Sequence, residues 1–303
     1  MLYAPLSPGR LGLARLIYPG HSARALKKRL LFLGRSLVHH QAYQDTQALF
    51  ASPHFQPVLR RHLRAIEKAF KPYLMAGLSP ARRFALLAGH YRLVAERWDQ
   101  GQLVTFLKDG LTLAELDGPQ GQGMVVRLAY LTQFQREGEL TLVLEVQQER
   151  FYSATFSLVS NEQGQTGLRV GCLQGPGRDS SLGEEQIRAL TRHCHGIRPK
   201  ALMVQLLSIL AQAWSCRFIE AVSNKGHIFA SRRYQRKGKL KTDYDALWAE
   251  SGGVAAGEAL WQLPLLAPRK DLESVASKKR SQYRKRYQWL DELAMQCQQH
   301  LPG

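Results

Sequence analysis

Two short segments carry residue types that could do chemistry. The first is Gly196-Ile197-Arg198-Pro199-Lys200. Glycine permits an unusual turn, and proline suits the first turn of a helix. Arg198 and Lys200 then stand where backbone N–H groups point outward, and a helix start with two cations suits phosphate. Gly196, Arg198 and Lys200 are therefore the candidate grip for an anion such as a pyrophosphate. The segment is not a GxxxxGK[ST] loop, and the chain holds no GxGxxG fingerprint.

The second segment is Ser223-Asn224-Lys225-Gly226-His227, just past an apolar run. Short polar residues at a strand end often line a site in sheets of this kind. His227 changes charge near neutral pH and can carry a proton, and Asn224 can orient a substrate group. A plain surface turn is the simpler reading of the same residues. There is no GxSxG elbow and no HExxH pair. Cys172, Cys194, Cys216 and Cys297 are scattered without a CxxC pair, which reads as buried free thiols in a reducing compartment. His193-Cys194-His195 lacks a second ligand pair at zinc spacing, so no metal site is expected.

The charge points to the kind of partner. The 303 residues carry a net charge of +18. Residues 1–100 hold 16 Lys+Arg against 4 Asp+Glu, residues 101–200 hold 10 against 11, and residues 201–303 hold 16 against 9. Basic flanks around a near-neutral middle suit an anionic ligand, an anionic membrane surface or nucleic acid. A solubilising basic surface is the bland alternative. No zinc finger, RNP motif or basic fork is present, so nucleic acid ranks behind the other two. Apolar types make up 45% of the chain, enough for a core. The run 201–214 is too short to span a bilayer and holds Gln205, Ser208 and Gln212. The first twenty residues show no secretory pattern. The expected location is the cytoplasm, with peripheral contact on the inner membrane.

The elements that must position these residues fall into three regions: 1–100, basic and helical; 101–265, a core of mixed sheet and helix; 266–303, a basic C-terminal helix packed on that core. Ser22 caps a helix to about Val38, with Leu26, Leu30, Leu33 and Leu37 on one side. Residues 55–75 give the clearest helical period, Leu59, Leu63, Ile66, Phe70 and Leu74, opposite Arg60, Arg61, Arg64, Lys68 and Lys71. Ser79-Pro80 opens another helix. Lys108-Asp109-Gly110 predicts a hairpin between 103–107 and 111–116. Period-two alternation over 139–147 and 152–158 predicts antiparallel strands, followed by one over 168–173. Helices follow over 183–193 and 199–214, then a strand over 217–222. Asp243 caps a helix that buries Tyr244, Leu247 and Trp248, after the basic loop Arg232–Lys241. The last helix spans about 271–300. The fold class is α+β: N-terminal amphipathic helices, an antiparallel-rich mixed sheet with packed helices, and a long C-terminal helix.

Several stretches carry a family resemblance. They are Arg150-Phe151-Tyr152, Val170-Gly171-Cys172-Leu173-Gln174-Gly175-Pro176, and His195-Gly196-Ile197-Arg198-Pro199-Lys200 with Leu202. Ala221-Val222-Ser223-Asn224, His227, Asp243-Tyr244-Asp245 and Trp248 follow, then Leu263-Pro264, Arg269-Lys270 and the run Lys278 to Tyr287. In this order they resemble the VirK/YbjX family of Gram-negative bacteria over most of the chain. The resemblance implies a role in virulence, in surface localisation of an outer-membrane virulence protein, and in resistance to cationic antimicrobial peptides. It implies no catalytic residues.

The core also looks like that of the acyl-CoA N-acyltransferases: a meander, a Gly-rich strand end, a cationic turn, a helix, and a strand ending in Asn. That likeness implies acyl-CoA as ligand, with its pyrophosphate at Gly196, Arg198 and Lys200, and Asn224 and His227 as catalytic candidates. Two departures stand against it. The helix 183–193 intervenes before the turn, and the Q/RxxGxG/A signature is not intact. The alternative is a non-catalytic cationic module on anionic lipid.

Overall fold

The computed structural model describes residues 9–177, 180–234, 240 and 242–302. Residues 235–239 and 241 of the basic loop lie outside the described residues. The strands are β1 (Leu111–Asp117), β2 (Gly123–Ala129), β3 (Leu140–Val146), β4 (Glu149–Ser160), β5 (Thr166–Gln174), β6 (Phe218–Val222), β7 (Val254–Ala255) and β8 (Leu260–Leu263). They form one sheet in the order β1-β2-β3-β4-β5-β6-β8-β7. The first five make an antiparallel meander. β5 and β6 are parallel, and β8 returns antiparallel to β6. A parallel pair needs a long crossover, and two helices supply it here.

The helices are α1 (Arg10–Ile17), α2 (Ala23–Val38), α3 (His40–Ala51), α4 (Gln56–Arg61), α5 (Pro80–Ala95), α6 (Gln100–Asp109), α7 (Glu184–His193), α8 (Pro199–Ala213), α9 (Tyr244–Glu250) and α10 (Ser277–His300). α7 and α8 form the β5–β6 crossover. α8 is apolar nearly all round, and it is buried between the sheet and α10. Among the described residues, no helix is long and apolar enough to cross a membrane.

The alternation along β4 decides what each face of the sheet holds. Tyr152, Ala154, Phe156 and Leu158 form an apolar face, where Trp214 at the end of α8 meets Phe156. Ser153, Thr155 and Ser157 form a polar face, and they too are buried. α5 and the 3₁₀ segment Leu63–Phe70 cover that second face. Its polar groups find partners there: Tyr73 Oη lies 3.1 Å from Ser157 Oγ, and Thr141 and Thr155 hydroxyls pair at 3.1 Å. The Leu158 N–H donates to His90 Nδ1 at 3.1 Å. A buried polar face of this kind is stable only when its groups are satisfied.

The deepest partners are Lys68 and Glu139. Lys68 Nζ donates to both Glu139 oxygens at 2.6 Å, and Tyr91 Oη donates to the same carboxylate at 2.7 Å. Lys68 has no exposed surface. The pair fastens the 3₁₀ segment to the start of β3.

Three local expectations are corrected. Residues 55–75 do not form one helix: α4 stops at Arg61, His62 is extended, and Leu63–Phe70 winds as 3₁₀. Lys68 and Lys71 therefore point inward, because Glu139 and Glu67 compensate their charge there. The hairpin at Lys108-Asp109-Gly110 is instead the end of α6. Asp99 and Gln102 form a capping box at its start, and Gly110 at φ 71 closes it. A helix end and a hairpin turn both use glycine at positive φ, so the dipeptide alone does not separate them. α2 does carry the Ser22 cap, but it turns its leucine row outward. Arg29, bonded to the carbonyls of Tyr18 and Gly20, and Phe32, seated against Tyr43 and Phe70, draw the opposite side into the core.

Two predictions follow from the covered polar face. Lys68→Met leaves Glu139 buried without its cation and should cost roughly 3–5 kcal/mol in urea unfolding. The double variant Lys68→Met/Glu139→Gln should recover most of that loss; additive losses would show that the pair is not coupled. Burial pushes His90 down to about 3, with Lys68 and Arg97 adding to it. The unfolded chain takes up that proton near pH 6.5 and the folded chain only near 3, so stability should fall as pH drops through that window. His90→Asn keeps an acceptor for Leu158 and should flatten the loss between pH 7 and 4.5. An unchanged slope would assign the pH dependence elsewhere.

Candidate anion-binding groove

α7 ends in two consecutive left-handed residues, His195 at φ 51 and Gly196 at φ 85. The Gly196 N–H closes the helix by donating to Thr191 O at 2.7 Å. Arg286 of α10 clamps the same turn: its Nε and Nη2 donate to His195 O at 3.0 and 2.7 Å, and its guanidinium lies 4.3 Å over the Tyr283 ring. A Cβ on Gly196 would stand 2.9 Å from Arg286 Nη2, so glycine serves both the backbone and the clamp. Arg198 is then the N-cap of α8, with Pro199 at the first helical position and no side-chain cap. The first-turn N–H groups of α8 have no side-chain acceptor.

An open groove of about 1110 Å³ lies at this helix start. Arg188, Arg192, Arg198, Lys200 and Arg286 surround it, with Glu250 as the one acidic residue of the lining. Tyr152 of β4 and Leu247 of α9 give it apolar walls. The crossover places it beyond the carboxyl ends of β5 and β6, where open sheets hold their ligands. Gly196, Arg198 and Lys200 thus share one groove. Arg188, Arg192 and Arg286 join them without having been picked out in the sequence. Arg192 precedes the motif by four residues and was legible only as helix surface. Arg286 arrives from 90 residues further along the chain, with no local signal.

Asn224 and His227 stand apart from that groove and beside each other. The Asn224 amide donates to Asp243 Oδ1 at 2.8 Å, and its Oδ1 accepts from the Tyr244 N–H at 2.8 Å. The side chain therefore fixes the start of α9. His227 is 1% exposed and stacks on Tyr244 at 5.1 Å between centroids. Its Nδ1 accepts from the Phe229 N–H at 3.3 Å, and its buried Nε2 lies 3.5 Å from Glu137 Oε1 with no hydrogen-bond partner among the described residues. Ser223 Oγ donates to Glu258 O, and a Cβ on Gly226 would fall 2.1 Å from Ala259 O. This turn is packed against the β7–β8 connection. The cysteines are all buried. Burial pushes the Cys194 and Cys297 thiols up to about 12 and also raises Cys172 well above the usual thiol range.

Fold and groove define an α+β protein with an open cationic groove at the start of its crossover helix. The chain belongs to the DUF535 family, described as proteins of unknown function, whose model matches residues 21–299. This is the VirK/YbjX family, and the named relative bears that out. The chain is 33% identical over 282 residues to the "Uncharacterized protein YbjX" of Escherichia coli strain K12, covering 92% of this chain and 84% of that protein. An "Uncharacterized protein" of Haemophilus influenzae is 36% identical over 151 residues, covering 50% of this chain and 48% of that one.

Proposed function

We propose that the chain is a cytoplasmic, inner-membrane-peripheral envelope factor built on an N-acyltransferase-like core, and that it binds acyl-CoA through its cationic groove. The observation that carries this reading is the set of five cations around the uncapped start of α8. Arg198, Lys200 and the Gly196 turn would hold the pyrophosphate, with Arg188, Arg192 and Arg286 around them. The strand order supports it too, since a meander leads through a crossover helix into a parallel strand. α7 remains a departure from that core. Asn224 acts here as a positioning residue for α9, one wall of the groove. His227, the proton-carrier candidate, is buried apart from the groove, so this reading gives it no role at the bound ligand. Support for envelope integrity, virulence and antimicrobial-peptide resistance comes to this chain from its family likeness. A thermal-shift titration with acetyl-CoA and a long-chain acyl-CoA tests the groove. Binding should stabilise the fold in proportion to the logarithm of ligand concentration, and Arg198→Ala should weaken it at least about tenfold. No shift with either ligand would remove CoA from the groove.

A second reading rests on α2. Leu26, Leu30 and Leu37 are 54%, 61% and 63% exposed, next to Arg24, Lys27 and Lys28. A helix of that kind lies flat on an anionic bilayer, with each nearby cation contributing about 1 kcal/mol. The chain should sediment with phosphatidylglycerol vesicles and release as salt rises. Leu26→Ser/Leu30→Ser should weaken sedimentation at low salt without changing the melting temperature by more than about 2 °C. Sedimentation indifferent to both changes would sink this reading.

A further inference from the structure

On the opposite face of the sheet from the groove, arginines converge from four separate elements. Arg35 comes from α2, Arg64 from the 3₁₀ segment, Arg83 from α5, and Arg136 from the β2–β3 loop. Arg233, beyond β6, joins them: Arg136 feels its positive charge and that of Arg64, and Arg83 feels that of Arg136. Arg35 faces Arg233 in the same way. Among the described residues, the carboxylate these arginines feel is Glu67, and it is already engaged. Its oxygens accept from Tyr18 Oη at 2.6 and 2.7 Å and from Lys71 Nζ at 2.5 Å, with Arg64 Nε 3.9 Å away. Lys71 matches its charge at close range, with Arg64 a second, longer ion pair. The Lys68–Glu139 pair beneath is likewise neutral as a unit.

Three guanidinium nitrogens are left over. Arg64 Nε, Arg83 Nε and Arg136 Nη1 are shut off from solvent and have no hydrogen-bond acceptor among the described residues; Arg136 is the deeply buried one, while the Arg64 side chain is 43% exposed and its Nε pairs only loosely with Glu67 at 3.9 Å. Buried charged donors without acceptors are costly, and their mutual repulsion adds to that cost. Burial pulls Arg136 and Arg83 below the usual guanidinium range, each further lowered by a neighbouring arginine. Such an arrangement persists where a ligand supplies the missing charge. A single carboxylate would offset one cation. A phosphate dianion offers several acceptor oxygens at once and matches the planar fork of arginine.

We propose that Arg64, Arg83 and Arg136 form a second anion site, distinct from the groove at α8, that binds the phosphate group of a phosphomonoester or diphosphate ligand. It rests on the unpartnered buried donors of these residues, not on the CoA reading, and survives if that reading fails. The test is a thermal-shift titration of the full chain with inorganic phosphate and pyrophosphate, against sodium chloride at matched ionic strength. Wild type should show a saturable rise. Arg64→Gln and Arg136→Gln should each weaken it at least about tenfold. Without phosphate, Arg136→Gln should melt no lower than wild type, since it removes an uncompensated buried charge; a lower melting point would mark a structural ion pair instead. Vesicles containing phosphatidic acid separate the two sources of such a group. Capture by these vesicles, reversed by pyrophosphate, identifies a lipid phosphomonoester; a phosphate response without capture identifies a soluble ligand. No response to either phosphate compound, or an equal response in Arg64→Gln and Arg136→Gln, overturns the site.

Discussion

The buried pair Lys68–Glu139 is the interaction on which the N-terminal half depends. A sheet with one polar face cannot be covered by a simple apolar helix. Ser153, Thr155 and Ser157 on β4 need partners, and so do Tyr91 and Tyr130 opposite them. Lys68 reaches through the 3₁₀ segment to the Glu139 carboxylate, whose oxygens also accept from Tyr91. A straight α-helix over 55–75 would have sent Lys68 to solvent. The break at His62 is thus a requirement of the polar interface and not an irregularity.

That interface also sets the charge balance of the molecule. Glu67 and Glu139 are consumed within it, by Lys71 and Lys68. The arginines around them keep their charge. On the other face, the cations around α8 stand in an open groove beside the single acid Glu250. The two sites differ in kind. Solvated side chains at the groove can rearrange to meet a large ligand. The proposed second site draws Arg64, Arg83 and the buried Arg136 from three elements, an arrangement that would suit one compact dianion.

The elements were largely legible in the sequence, because their signals are local. Ser22, Ser79 and Asp243 cap helices as their types imply. Period two over 139–158 gives β3 and β4, and the apolar run after Pro199 gives the buried α8. What stayed hidden was long-range. An amphipathic period says which residues share a side, not which side turns inward. On α2 the inward side is set by Phe32 against Tyr43 and Phe70, and the leucines are left outside. The cationic turn Gly196–Lys200 was visible as a motif, while its clamp, Arg286, lies on α10 and could be placed only through the fold. The same holds for Arg64, Arg83 and Arg136, which no local spacing connects.

The strand end Ser223–His227 has a different logic from the one its residue types suggest. β5 and β6 pair only as far as Val170 and Ala221, yet β5 continues to Gln174. Beyond that point β4 still pairs with Leu173 through Ala154, but among the described residues no strand faces it on the β6 side. The Tyr244 phenol does so instead, within 3.3 Å of both the Leu173 N–H and its carbonyl. Tyr244 is held in a stack between His227 and Trp248, and the Trp248 indole donates to Val222 O at 2.8 Å. Asn224 secures the helix that carries both rings. The gap between the parting strands is therefore filled by the chain's own side chains. A ligand whose amides paired with the edge of β5 would have to expel Tyr244, breaking both bonds to Leu173 and the ring stack. A ligand in the groove over α8 displaces nothing. The polar strand end thus serves to hold α9 in place as the wall of the groove, and the proposed recognition would fall to the cations.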